Sequence, residues 1–363
     1  IAAEFGTSYG SITFALSAYL IFTAFVQLIV GPIADQFGRR PTILISVALF
    51  IIASAGTALA TTYITFLIFR IIQGAIATGL ALSRAVVSDI IPTKEAASTL
   101  GYIGMVMSLA PIIGPSIGGG LSELAGWRSN FWLYTFLGIG LWLLVWGQLP
   151  ETGIKKSSTT KDFFYSYLDL ISIADFWRYA LIMSLGIGAF FCFITGIPIV
   201  AAQQFDMDQG SIGLCIGSIT CGFLFGSFVS GRFGSKYSLD VMILSGRYLA
   251  CLGLLISIFF ISIGFVPLKS LLGGILLVGV GNGLTSPSAN LAVISVRKDL
   301  SASASGLAGA LIVLTGAIMT GITGAILDVY PNTVALISVM SFVTAISFLI
   351  AAWQIYFKNC HSG

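Results

Sequence analysis

With 363 residues, 57% of them hydrophobic and 9% charged, and a mean hydropathy of +1.01, the chain cannot clothe a water-soluble domain, since charged residues make up roughly a quarter of such a domain. The net charge of +3 is spread over short loops, which excludes a nucleic-acid footprint. One histidine and five scattered cysteines, with no CxxC pair, argue against a metal centre or disulfide framework, so no metal and no cofactor is expected.

Apolar runs bounded by polar or Gly/Pro punctuation predict spans near 9–31, 41–60, 63–90, 97–121, 130–149, 176–202, 210–232, 239–264, 270–295, 301–326 and 333–357, eleven in all. Runs such as ILISVALFIIASAGTALA do not alternate apolar and polar residues, so these are helices and not barrel strands. The expected fold is an all-α integral membrane protein.

Along the chain, the first charged cluster is GPIADQFGRRP, 31–41. Gly31 and Pro32 are expected to end the first span, and Asp35 can meet Arg39 four residues on if the turn stays helical. Gly38, Arg39 and Arg40 complete this turn, and the N-terminal end of the helix beginning near Ser301 offers Asp35 a favourable docking place. In the third span, Arg70 is followed by Gln73 and Gly74 on the same helix face. An ionised side chain inside a span costs about 2.5–3.5 kcal/mol, so Arg70 needs either a wet cavity or a tie to a neighbouring helix. Arg84 and Asp89 mark the inner end of the same span, where snorkelling or local pairing accounts for them. The fourth span carries APIIGPSIGG: Pro111 and Pro115 each lack a backbone donor, while Gly114, Gly118 and Gly119 allow close approach, so a bent and tightly packed helix is expected.

The polar stretch 150–169 reads as a linker with a short interfacial helix. It divides the chain into an N-terminal bundle at 1–149, a linker at 150–175, a C-terminal bundle at 176–357 and a tail at 358–363. In the second bundle Arg247 stands about two turns into its span, as cavity group or structural tie, and GNGLTSPSAN places Asn282 and Asn290 around Pro287 as cavity-lining candidates. Every acid in the chain sits at a helix end or in a loop, so no mid-membrane carboxylate is present to carry a proton.

If the 31–41 turn faces inward, the inside collects twelve lysines and arginines and the outside keeps Arg128 and Lys269. Lysine and arginine accumulate on the cytoplasmic side, so the N-terminus of this chain is expected outside and the C-terminus inside. The halves repeat: Gly31 and Ile43 meet Gly231 and Ile243 at an offset of 200, Ala97, Ser98 and Gly101 meet Ala302, Ser303 and Gly306 at 205, and Gln73-Gly74 meets Asn282-Gly283 at 209. This register implies a span upstream of residue 1, hence eleven spans of an expected twelve; a native eleven-span protein is the alternative. No GxxxxGK[ST] loop and no HExxH is present, which leaves a gradient-driven transporter and no enzyme.

GPIADQFGRRP, FRIIQGAIATG at 69–79, APIIGPSIGG, and RAVVSD at 84–89 with Trp127-Arg128 together resemble the major facilitator superfamily, its drug:proton antiporters, and within them the Bcr/CflA-type multidrug resistance group, over essentially the whole chain. The resemblance implies two pseudo-symmetric helical bundles and a rocker-switch exchange of protons for a lipophilic or cationic drug. It further implies a monomer in the bacterial inner membrane, Arg70 at the cavity, and Arg39 paired with Asp35 in a cytoplasmic latch. In the second half, GRFGSKYSLD keeps only a worn version of the loop motif, with Ser235 in place of the aspartate. Two other readings stand beside it: a facilitator-fold transporter of one metabolite, such as a sugar or amino acid, and a truncated, non-transporting membrane protein.

Overall fold

The computed structural model describes residues 1–7, 9–153, 167–205, 207, 209–264 and 267–361. Within them the chain is helical and forms no strand. The helices are α1 (Ala2–Phe5), α2 (Tyr9–Phe37), α3 (Arg39–Leu59), α4 (Tyr63–Ile72), α5 (Ala77–Ile90), α6 (Thr93–Met107), α7 (Leu109–Ala125) and α8 (Arg128–Gln148). They continue with α9 (Ala174–Phe205), α10 (Gln209–Phe233), α11 (Leu239–Ser262), α12 (Pro267–Ser295), α13 (Ser301–Val329) and α14 (Thr333–His361). A 3₁₀ turn, Gln73–Ile76, joins α4 to α5.

Among the described residues, ten helical stretches are long and apolar enough to cross a membrane, one fewer than the expected spans. The difference lies at 97–121, which is divided into α6, 15 residues, and α7, 17 residues. The division falls at Ser108, whose hydroxyl turns back to the Met105 carbonyl at 2.6 Å. Pro111, three residues on, has no N–H to give the Met107 carbonyl, so the helix loses a rung just where it divides. The side chains of Pro111 and Pro115 lie outside the described residues, as do the linker lysines Lys155, Lys156 and Lys161.

A second difference is at Pro32. The first span does not stop there; α2 runs on to Phe37, and the turn comes at Gly38, whose φ of 100° is left-handed. Glycine is required at that point twice over, because a Cβ would also lie 2.4 Å from Glu151 Oε2.

The chain forms two compact units. The first comprises Ile1–Ile90, Ile113–Leu170 and Arg297–Ala310; the second comprises Ile91–Ile112, Ile171–Val296 and Leu311–Gly363. In the first, Val30, Ala34, Val47, Leu82 and Ala85 form a buried cluster with Ala302, and a second cluster of Phe66 and Phe131 is joined by Phe5 and Trp127. In the second, Phe193, Ile197, Ile219, Leu254, Ile275 and Met340 belong to one larger core.

Helix α12 is gripped from two sides at backbone distance. A Cβ on Gly226 of α10 would lie 2.1 Å from the Val280 carbonyl oxygen, and one on Gly281 would lie 2.3 Å from that of Gly246 in α11. Apolar side chains gain little by leaving lipid, so such glycine contacts, dense in dispersion, are what holds membrane helices together.

Candidate functional site

Arg70 stands in the last turn of α4 and is half-buried. Its Nη1 donates to Gln73 Oε1 at 2.8 Å, and Gln73 Nε2 donates in turn to Ser54 Oγ of α3 at 2.9 Å. The faces of the guanidinium meet two rings, Tyr19 at 4.7 Å and Phe131 at 5.7 Å from Cζ. Among the described residues no carboxylate pairs with it. Gln73 is 1% exposed, and Gly74 leaves room for Phe22 and Thr23 of α2, to which a Cβ would come within 2.9 and 3.0 Å. The arginine is therefore oriented by a neutral amide and aromatic faces, and its charge is left uncompensated by any acid.

The second unit holds a counterpart. Arg247 is 1% exposed; Nε donates to Thr285 Oγ1 at 3.0 Å and Nη2 to Asn282 Oδ1 at 2.6 Å. Gly186 of α9 makes the space for it, since a Cβ there would lie 2.3 Å from Nη1. Arg247 thus ties α11 to α12, and Asn282, 3% exposed, is occupied by that tie. Asn290 is half-buried and donates to Ser286 O of its own helix at 2.8 Å.

At the Gly38 turn the charged residues form a network. Asp35 Oδ2 accepts from Ser303 N at 3.1 Å and Ser303 Oγ at 2.7 Å, which sets the carboxylate at the first turn of α13, its expected docking place. Gly31 allows this approach, as a Cβ would lie 2.5 Å from Ser303 Cα. Arg39, 4% exposed, bonds Asp89 through Nη1 and donates through Nη2 to Ser301 Oγ at 2.6 Å; its backbone N–H donates to Glu151 Oε1 at 2.8 Å. The carboxylate of the Arg39 ion pair is therefore Asp89, not the expected Asp35. The cause is Gly38: its left-handed turn separates Asp35, on α2, from Arg39, which opens α3, so the i, i+4 register does not apply. Arg40 Nη2 donates to the Trp146 carbonyl at 2.7 Å. Arg84 is half-buried on α5 and makes no hydrogen bond or ion pair among the described residues.

The Pro/Gly segment of α7 is more open than expected. Among the described residues a Cβ on Gly114 or Gly119 would meet nothing within 4 Å, while one on Gly118 would meet Asn130, whose Nδ2 donates to the Gly118 carbonyl at 3.2 Å. At the opposite end of the first unit from Gly38, Glu4 accepts from Trp127 Nε1 at 2.6 Å and pairs with Arg128, which also donates to Ala60 O at 2.9 Å. The Trp127 and Arg128 hydrogen bonds hold the Glu4 carboxyl below the usual glutamate range.

Several participants gave no sequence signal. Tyr19, Phe131, Gly186 and Thr285 look like ordinary span residues, and Glu151 like an ordinary linker acid. Ser303 did stand out, as the repeat partner of Ser98, which in the second unit bonds the Gly231 carbonyl.

The Major Facilitator Superfamily profile matches residues 1–318. The chain is 28% identical to the uncharacterized MFS-type transporter YdgK of Bacillus subtilis, over 95% of this chain and 86% of that protein. It is also 28% identical to a bicyclomycin resistance protein homolog of Haemophilus influenzae, over 88% of this chain and 81% of that one. Among solved structures, the E. coli fucose:proton symporter FucP has a TM-score of 0.79 at 15% identity, covering 97% of this chain and 92% of that chain, a likeness of fold alone. The chain therefore belongs to the Major Facilitator Superfamily of multi-pass membrane proteins, secondary transporters that are not enzymes.

Proposed function

We propose that this protein is a Bcr/CflA-type antiporter that exports small lipophilic or cationic drugs in exchange for protons, by alternating access of two bundles in the bacterial inner membrane. The observation that carries the reading is Arg70: a half-buried guanidinium held by Gln73 and two aromatic rings, with no acid beside it among the described residues. Keeping such a charge inside a span costs free energy that a purely structural helix need not spend. A cationic arginine of this kind draws the electron-rich parts of a bound compound. The relationship to a bicyclomycin resistance homolog favours a drug as cargo. In this reading the bundles are residues 1–149 and 176–357. The Gly38 turn is a cytoplasmic latch, the C-terminus is cytoplasmic, and the protein works as a monomer surrounded by lipid.

The test is transport by proteoliposomes under an imposed pH gradient, with ethidium as the cationic probe and bicyclomycin as the neutral one. Gradient-dependent accumulation of either is expected, lost about tenfold or more in Arg70→Ala with insertion unchanged. No gradient-dependent accumulation of any drug probe would end the antiporter reading; normal transport by Arg70→Ala would make that residue structural.

A further inference from the structure

Proline inside a helix leaves one carbonyl without its donor, the carbonyl four residues earlier. For Pro32 that carbonyl belongs to Leu28, and α2 continues past the proline for five more residues to Phe37. Leu28 O is not left bare: the Tyr167 hydroxyl donates to it. Tyr167 lies in the second half of the linker, in a helical turn over 167–171. Burial, with the Asp35 carboxylate nearby, raises the Tyr167 hydroxyl pKa well above that of ordinary tyrosine, so the group remains a donor. The other flank of the linker is fastened to the same segment, since Glu151 Oε1 accepts from Arg39 N and from Gly153 N, each at 2.8 Å.

We propose that the Tyr167 hydroxyl replaces the amide hydrogen that Pro32 lacks, and thereby fixes the last turns of α2, making Tyr167 a positioning residue for the contact between Asp35 and Ser303. The physical need is specific. A backbone carbonyl without a partner is costly wherever water does not reach it, and a helix end with a missing rung is a weak place from which to present a charge. Asp35 sits seven residues beyond Leu28, on the far side of that missing rung. Linker and turn then move together: displacing the linker withdraws the hydroxyl, reopens the rung and loosens the hold on Asp35. This consequence for transport rests on the antiporter reading; the hydrogen bond and its effect on α2 do not.

The experiment is a double-mutant cycle of Tyr167→Phe and Pro32→Ala on the whole protein, read by amide hydrogen exchange of residues 33–37 and by transport turnover. Tyr167→Phe is expected to speed exchange there roughly fivefold, the scale of one lost hydrogen bond, and to slow turnover. Pro32→Ala restores a backbone donor to Leu28 O, so in that background Tyr167→Phe should change neither. An undiminished effect of Tyr167→Phe with Ala at position 32 would overturn the proposal, as would unchanged exchange in the native background. If Pro32→Ala does not fold, the exchange of 33–37 in Tyr167→Phe decides alone. Altered exchange in a protein that moves no drug would sink the transport reading and leave the assignment of the hydroxyl intact.

Discussion

The carboxamide oxygens of Gln73 and Asn282 each accept from a membrane arginine, Arg70 at 2.8 Å and Arg247 at 2.6 Å. The arginines themselves are not equivalent: Arg70 shares its span with Gln73, whereas Arg247 comes from the preceding helix, α11. A common acceptor has been served from two different directions, and the consequences differ because Arg247 is buried and Arg70 is half-buried.

Asn282→Ala should therefore destabilise the protein more than Gln73→Ala. Removing the acceptor of a buried guanidinium costs about 1.5–3 kcal/mol; Arg70 keeps its two aromatic faces, and the loss there is about 1 kcal/mol. Denaturant unfolding in detergent measures both. Equal losses would show that burial does not separate the two sites.

Gly186→Ala places a methyl 2.3 Å from Arg247 Nη1 and 3.0 Å from Asn282 Oδ1. The guanidinium is pinned by two bonds and cannot swing aside freely, so a loss of about 1–3 kcal/mol is expected. The same substitution in an Arg247→Met background should cost much less, because the 2.3 Å guanidinium contact is gone and only Asn282 Oδ1 remains close. A thermal-unfolding cycle reads the coupling.

Arg39→Ala leaves Asp89 and Ser301 without their shared donor and breaks an ion pair in which the Arg39 and Asp89 side chains are 5% and 23% exposed. Breaking a buried pair costs about 3–5 kcal/mol; partial exposure of Asp89 puts this one at the lower end. Arg39→Lys keeps a charge for Asp89 but cannot also reach Ser301, and should lose less. Folded yield in the membrane orders the variants native, lysine, alanine, and any other order refutes the assigned partners.

Asp35→Asn keeps an oxygen for Ser303 but removes the negative charge from the first turn of α13, a term of about 0.3–1 kcal/mol. Insertion should be unaffected and turnover should slow by a factor of roughly two to five, read in the proteoliposome assay. Unchanged turnover would leave the turn with a topological role alone.

Glu4 supplies the pH prediction. Its carboxyl is held below the usual glutamate range by Trp127 and Arg128, so the tie contributes stability above the ordinary glutamate pKa of about 4.3 and loses it as pH falls through the lowered folded value. The native thermal midpoint relative to Glu4→Gln should then be constant from neutral pH to about pH 5 and converge with it only in stronger acid. Convergence already near pH 6 would rule out this sign.

Hydropathy made the helices legible, because a span announces itself by length and apolar content whatever it packs against. What stayed hidden depends on neighbours. The division at Ser108 reflects a hydroxyl and a proline acting within one otherwise apolar run, which averaging over a window conceals. The expectation of an Asp35–Arg39 pair assumed continuous helix across Gly38, whose left-handed φ of 100° breaks it. Arg247 and Asn282 were each visible as polar residues in apolar spans, but their mutual bond requires knowing that α11 and α12 meet at glycine distance. The docking of Asp35 at the start of α13 was readable beforehand, since a helix N-terminus attracts carboxylates irrespective of the surrounding packing.

The division of the chain into units also bears on biogenesis. Residues 91–112 belong with 171–296, and 297–310 with the first ninety residues. Within the second unit, a Cβ on Gly101 of α6 would lie 2.4 Å from Gly231 N of α10, so that surface of α6 is shaped for a helix synthesised more than a hundred residues later. A nascent chain that ends before α10 therefore leaves this glycine surface of α6 without the helix it fits.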